Sequence, residues 1–457
     1  MSVRALFALV LFLSSTASLA SDWARFRGPN GSGISLDENA FPVTWTPTEK
    51  IKWKTELPGP GSSSPIVVGD RLYVTCYSGY AVSPGEMGSM KDLKRHMVCL
   101  DRVTGKVIWT QAVEAAQPED EFEGIGVTQH GYASHTPVSD GKNVYAFFGK
   151  SGAYAFDRDG KQLWHAETGK GSDPRGWGSA SSPILFKNLV IVTATSEASA
   201  LIALDKESGK VVWRQQADGF ENTWGTPVLA EVNADRTDLV LGVPYEIWGF
   251  DPQNGKIRWF SEAMQTDTYC SSVVNQGDMI FGIEGRGGGS IAIRAGGQDD
   301  VQKTNVVWTG RDTSRIGTPV VYQDRIYFFS GRVVNCIDAK SGKSIYQQRL
   351  TGGSAPAAAT APRPEGPGGP RGGRGAGGGM GGQDYASPII AGGNLYYVTR
   401  NGDLFVIKTG PEFQQLAVNR VTADAEDFSG TPAASEGQLF IRSNRFIYCV
   451  ADSATAK

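Results

Sequence analysis

Cysteine and histidine are scarce in this chain of 457 residues, which holds five of the first and four of the second. No two cysteines are adjacent, and of His96, His130, His135 and His165 only His130 and His135 share a loop. A zinc site would need further ligands from other loops and no Cys or His is placed for that, so no metal site is expected and hydrogen bonding at the channel mouth is the reading for that pair. Charge of one sign is lacking too. The net charge is −3 with acids and bases interspersed, which leaves no electrostatic footprint for nucleic acid or an anionic membrane. Beyond the first twenty residues no run is long and apolar enough to span a bilayer. Helix-type apolar spacing is rare as well.

The first twenty residues themselves read as an export signal. Arg4 supplies the positive start, the stretch 5–13 is apolar, and Ser18-Leu19-Ala20 is a small-x-small cleavage site. Cleavage near Ala20 would leave a soluble periplasmic or secreted protein. No cysteine lies near residue 20 to carry a lipid.

What is abundant is glycine, at 58 residues, with short runs of Val, Ile, Tyr and Phe between turn residues. The class is therefore all-β. One phrase recurs. Leu100-Asp101-Arg102-Val103-Thr104-Gly105-Lys106-Val107-Ile108-Trp109 is followed by copies ending in Trp164, Trp213 and Trp259, and by a weaker copy ending in Tyr346. A unit starting at Tyr269-Cys270-Ser271-Ser272 keeps Trp308 but loses the Asp and the Gly-Lys turn, and another replaces the phrase by Ile407-Lys408-Thr409-Gly410-Pro411.

Most units open on a small residue and a proline: Ser64-Pro65, Thr136-Pro137, Ser182-Pro183, Thr226-Pro227, Thr318-Pro319, Ser387-Pro388 and Thr431-Pro432. Proline at a strand's first residue costs no ladder bond. Four strands per unit of roughly 40–50 residues is propeller arithmetic. The eighth unit runs out after three strands, and the missing fourth-strand pattern stands before the first unit, at Ile51-Lys52-Trp53-Lys54-Thr55-Glu56-Leu57. The reading is an eight-bladed β-propeller of four-stranded antiparallel blades over residues 50–452, closed by that N-terminal strand, which removes two exposed edges.

The phrase resembles the tryptophan-docking motif of the PQQ-repeat propellers, a group containing quinoprotein alcohol dehydrogenases and the propeller subunit of the outer-membrane barrel-assembly machinery. The resemblance implies that Trp53, Trp109, Trp164, Trp213, Trp259, Trp308 and Tyr346 pack between adjacent blades and bond through their polar atoms. Residues 22–33, Asp22-Trp23-Ala24-Arg25-Phe26-Arg27-Gly28-Pro29-Asn30-Gly31-Ser32-Gly33, resemble the opening of secreted bacterial members; segment 21–49 is read as a clasp on the propeller, with a ligand-contacting plug as the alternative. Residues 351–384 form a Gly/Pro/Ala-rich insertion expected to be disordered, and 453–457 a tail.

Two functions follow from the resemblance. One is a non-catalytic binding or scaffold propeller in envelope protein assembly. The other is a quinoprotein oxidoreductase of alcohols or sugars, holding PQQ and Ca²⁺. Alcohol dehydrogenases of the group stack the quinone against a ring closed by two adjacent cysteines, and this chain has no such pair. The first reading is preferred, with no cofactor expected. Inter-blade loops are expected to aim His135, Arg175, Trp177, Trp224, Tyr269, Arg315 and Tyr385 at a funnel on one face, where aromatics and arginines suit a planar or anionic small ligand or an envelope or secreted protein. The alternative is that Trp177 and Trp224 close the channel. Cys76 and Cys99, on neighbouring strands of the first unit, are the candidate disulfide; Cys99, Cys336 and Cys449, at one phase of the repeat, are small core residues, and Cys270 faces the axis. A monomer is expected.

Overall fold

Runs such as Leu189–Ala194, buried at every position, form strands because both their faces meet neighbouring sheets, whereas outer strands such as Val211–Gln216 alternate between exposed and buried. The computed structural model describes residues 22–354 and 383–452, apart from positions 84, 125, 286 and 315. The stretch 1–20 read as an export signal, the bulk of the insertion, the tail and Arg315 thus lie outside the described residues. Among the described residues, no helix is long and apolar enough to cross a membrane.

Eight antiparallel blades of four strands make up the architecture. Blade 1 runs Ile66–Val68, Arg71–Ser78, Lys94–Asp101 and Val107–Glu114, and blades 2 to 7 follow in chain order. Blade 8 takes three strands from Ala433–Ser435, Gln438–Arg442 and Phe446–Ala451 and its outermost from Ile51–Glu56, with Trp53 opposite Cys449. The N-terminal strand closes the ring. Blade 4 carries an addition: Asp299–Asp300, from the long connection within blade 5, pairs parallel to its outer strand.

The third and fourth strands of every blade share one irregularity, a register shift directly after the position of the phrase's aromatic. Such a bulge re-aims a side chain. Opposite the aromatic stands a small residue: Cys99, Ala155, Ala203, Gly249, Ala292, Cys336 or Cys449. That pairing is why cysteine recurs at one phase of the repeat. Val406 stands there in blade 7, where Ala417 replaces the aromatic.

The disulfide reading is corrected. Cys76 pairs with His96 across the ladder and Cys99 with Tyr73, an offset of three residues. An odd offset puts the two thiols on opposite faces of the sheet. Cys76 accordingly packs in the core toward blade 8 and Cys99 in the core toward blade 2, and no disulfide joins the described cysteines.

Five indoles bridge to the next blade. Trp53, Trp109, Trp164, Trp213 and Trp308 donate from Nε1 to the carbonyls of Arg102, Arg158, Lys206, Pro252 and Ala339 at 2.8–3.2 Å. Each acceptor is the residue after the phrase's Asp. The Gly of the same turn has positive φ and lies so close that a Cβ would sit 2.4–2.7 Å from the ring, so glycine is required twice over. Trp259 and Tyr346 depart from this. Their next blades, five and seven, lack the Asp-to-Gly-Lys turn. Trp259 turns its N–H to Asp238 of its own blade at 2.8 Å, and the Tyr346 hydroxyl makes no bond to the next blade among the described residues.

Segment 22–35 crosses one end of the central channel. Trp23 exchanges two main-chain bonds with Val67 of blade 1, and Ala24 accepts from Ser139 of blade 2. Asn30 reaches the Leu229 carbonyl of blade 4 at 2.8 Å, and Gly33 and Ser35 pair with Ile390 of blade 7. Gly28, at φ +67°, leaves room for the Trp23 ring, 2.6 Å from where its Cβ would be.

Candidate functional site

The Ser/Thr-Pro steps meet at the axis. The N–H of Ser64 donates to the Thr136 hydroxyl, Thr136 to Ser182, Ser182 to Thr226, Thr226 to Ser272, Ser272 to Thr318, Thr318 to Ser387, Ser387 to Thr431, and Thr431 back to Ser64, all at 2.9–3.0 Å. Eight bonds thus make a closed belt, one per blade. All eight residues line a cavity of about 160 Å³ on the axis.

Chain entering the belt is extended, so side chains alternate and every second residue faces the channel. Two residues before the belt, Ser62, Ser134, Ala180, Trp224, Cys270, Ile316, Tyr385 and Ser429 form a second tier of the cavity wall. Phe26, carried by the segment across the far end, also lines it. Trp177 sits against Trp224 with ring centroids 4.9 Å apart, and the Trp224 indole N–H donates to the Gly178 carbonyl at 2.8 Å.

Alternation also sorts the sequence-derived candidates. Trp177, Trp224 and Tyr385 line the cavity. His135, one residue before the belt, and Tyr269, three before, stand at odd offsets and face away, which corrects their placement in the funnel. His135 is buried against Phe147, its Nε2 meeting the Ser179 hydroxyl at 2.8 Å, and burial pushes its pKa down to about 3. It borders a smaller polar pocket with Glu197, whose carboxyl burial raises to about 7. Tyr269 is packed in the core between blades 4 and 5, over Gly242 and Gly282. Arg175 does not line the cavity either. It stands behind Trp177, bonded to Asn222 at 2.9 Å and Asp267 at 2.7 Å, tying three inter-blade loops together. Arg400 has the same place behind Tyr385 and reaches across the mouth to Gln129.

Glu284 escaped the sequence reading, whereas His130 and Phe26 were named there without a place in the wall. Glu284, after the second strand of blade 5, is wholly buried in the cavity wall. It accepts from the N–H groups of Cys270 at 3.0 Å and Gly285 at 2.8 Å, yet desolvation outweighs these bonds and raises its pKa to about 7. The visible signal was an acid closing the apolar run Met279–Ile283. His130 donates from Nε2 to the Trp177 carbonyl at 2.6 Å and accepts at Nδ1 from Ser134 at 2.7 Å, so it positions the Trp177 loop; burial lowers its pKa. Phe26 belongs to segment 22–33, for which a ligand-contacting plug is the alternative reading, and it lines the cavity. Among the described residues, no group of three His, Cys, Asp or Glu could hold a metal.

Comparison with known proteins returns two kinds of relative. A family model described as outer membrane protein assembly factor BamB matches residues 77–198 and 154–409. A polyvinylalcohol dehydrogenase of Sphingopyxis sp. (strain 113P3) is 24% identical over 298 residues, covering 56% of this chain and 42% of that protein. A 1-butanol dehydrogenase (quinone) of Thauera butanivorans is 29% identical over 174 residues, covering 34% of this chain and 26% of the relative. The chain thus spans less than half the length of these curated relatives. BamB from Moraxella catarrhalis superposes with a TM-score of 0.58 at 10% identity, covering 89% of this chain and 98% of that one. The quinohemoprotein alcohol dehydrogenase from Comamonas testosteroni gives 0.61 at 12% identity, covering 97% and 82%. At such identities the likeness concerns the fold alone.

Proposed function

Because the chain belongs to the family described as outer membrane protein assembly factor BamB, we propose that it is an exported propeller that binds rather than transforms its ligand, with the axial cavity as the binding site. The observation that carries this reading is the cavity itself: a hydroxyl-lined channel with aromatic walls, braced from behind by arginines that are already bonded to neighbouring loops. Such a wall offers stacking surface and hydrogen-bond donors, and its one described carboxyl, Glu284, is engaged by the backbone N–H groups of Cys270 and Gly285. Its occupant is an envelope or secreted protein segment or a small ligand, and envelope protein assembly is the role that the family description supports.

The dehydrogenase relatives favour a second reading, oxidation of an alcohol through a quinone. PQQ is planar and would need an aromatic slot and metal ligands. Trp177 and Trp224 are tilted against each other by 34° with centroids 4.9 Å apart, which leaves no slot between the two rings. Neither an adjacent cysteine pair nor three grouped metal ligands stand in the described wall. The residues present do not fit the cofactor. Titrating the purified protein with PQQ and Ca²⁺ tests the choice: no saturable binding and no dye-linked alcohol oxidation are expected, and either result in the positive would transfer the chain to the dehydrogenases. On the binding reading, Trp177→Ala abolishes retention of the partner captured from envelope extract by the wild type.

A further inference from the structure

The belt carries a second consequence, at its chemistry rather than its geometry. Each belt hydroxyl accepts an N–H from the neighbouring blade, and among the described residues none of the eight donates its own hydrogen to a protein acceptor. All eight residues are more than nine-tenths buried and line the axial cavity. A hydroxyl whose lone pair is engaged is polarised toward donation. Eight such donors converge on one space.

Positive charge surrounds the same ring. Arg27, fully buried, donates to the carbonyls of the belt residue Thr318 at 3.0 Å, of Pro319 at 2.6 Å and of Pro388 at 3.0 Å. Arg25 donates to the carbonyl of Pro227, next to belt residue Thr226, at 3.0 Å. Arg442, fully buried in blade 8, donates to the carbonyl of Ser63, next to belt residue Ser64, at 2.8 Å and to the Ser63 hydroxyl. Three guanidiniums therefore touch main chain within one residue of the belt, from different sides, and none of them forms a salt bridge with a carboxylate among the described residues. Nε of Arg25 and both Nε and Nη2 of Arg442 are buried without a partner among the described residues. Burial alone lowers their pKa values, to about 10 for Arg25 and Arg442 and about 9 for Arg27, so all three remain cations at neutral pH. Glu284, the one carboxyl in the described cavity wall, spends its oxygens on backbone N–H groups rather than on an arginine. Buried charge without a counter-charge is costly, and an assembly of donors and cations lacking an acceptor specifies what is missing.

We propose that the axis is an anion site: one carboxylate or oxyanion group is seated at the belt, its oxygens taking belt hydrogens and its charge answered by Arg25, Arg27 and Arg442. The group belongs either to a free small anion or to the end of a larger acidic ligand entering past Trp177 and Tyr385. This rests on the reading of the axial cavity as a binding site. The two fail separately: partner capture without anion uptake would sink the anion alone, and anion uptake without a partner would sink only partner capture.

The test is calorimetric titration of the mature chain with inorganic phosphate and, separately, with acetate, at constant ionic strength and with glycerol as the uncharged control. One anion per chain is expected to bind saturably, and glycerol not at all. Phosphate uptake alone identifies an oxyanion site, and acetate uptake a carboxylate site. Arg442→Met should weaken binding by about tenfold or more. Should that variant fail to fold, Ser387→Ala removes a belt hydrogen on another side and should weaken the same anion, while Ser182→Thr, which keeps its hydroxyl, should bind as the wild type does. No saturable uptake of either anion, equal uptake of glycerol, or unaltered affinity in every folded variant would overturn the site.

Discussion

The propeller holds its blades together with two concentric devices, and they obey different rules. The inner belt repeats in all eight blades without exception, although the residue alternates between Ser and Thr and the blade 5 step lacks its proline. The outer ring of aromatics keeps its bond to the next blade in five copies, turns inward at Trp259 and makes no such bond at Tyr346 among the described residues. Distance from the axis explains the difference. Close to the axis, each buried N–H has a neighbouring blade as its nearest source of an acceptor, and a missing hydroxyl would leave an orphaned donor. Further out, the wedge between blades widens, and other material can fill it. Blade 4 fills it with Asp238 and with the added strand at Asp299–Asp300; Tyr346 packs on Phe413.

The largest break in this comparison should come from Trp213→Ala, which empties an inter-blade wedge and strands the Pro252 carbonyl; a loss of about 3–5 kcal/mol in chemical denaturation is expected. An unchanged midpoint would remove the aromatic from any part in holding blades together. Thr226→Val keeps the shape of one belt member but deprives the Ser182 N–H of its acceptor, and about 1–3 kcal/mol should disappear. If it costs less than about 0.5 kcal/mol, the belt is ornament rather than closure. Glu284 sharpens the comparison through pH. Its folded pKa, about 7, lies above its unfolded value, so folding takes up a proton and wild-type stability rises as pH falls through 7 toward the unfolded value. Measured against Glu284→Gln, which cannot titrate, the melting-temperature difference should therefore move in favour of the wild type between pH 8 and 5; a pH-independent difference would show a carboxyl that is not desolvated. The smallest effect belongs to Tyr346→Phe. Its hydroxyl makes no bond to the next blade among the described residues, and the midpoint should stay within about 0.5 kcal/mol.

Both devices were legible in the sequence to different depths. Blade number and closure could be read because each unit repeats the same turn and aromatic, and because Trp53 stands in a fourth-strand pattern ahead of the first unit. The belt was written in the Ser/Thr-Pro steps, but as a strand signal; that the hydroxyls close on one another depends on eight segments meeting in space. Cavity-facing residues were half legible. Counting back from the belt in twos selects Trp224 and Tyr385 and rejects His135 and Tyr269, a phase rule available once the step is recognised. Cys76 and Cys99 failed because strand register is set by the turn at residues 79–93, not by spacing. Arg25, Arg27 and Arg442 were beyond local reasoning, since their partners are carbonyls hundreds of positions away.

Those long reaches bear on how the chain is assembled. Arg27 bonds to residues 291, 292 and 361 positions downstream, and Ile51–Glu56 completes the last blade. The earliest-synthesised part of the described chain thus has seats spread from blade 1 to blade 8, and its strand Ile51–Glu56 has no partner until the final blade is made. A ribosome-bound chain would hold an open arc with unsatisfied edges, and closure becomes a post-synthetic event. The ring should then come apart as a single cooperative unit, starting from the withdrawal of its own beginning.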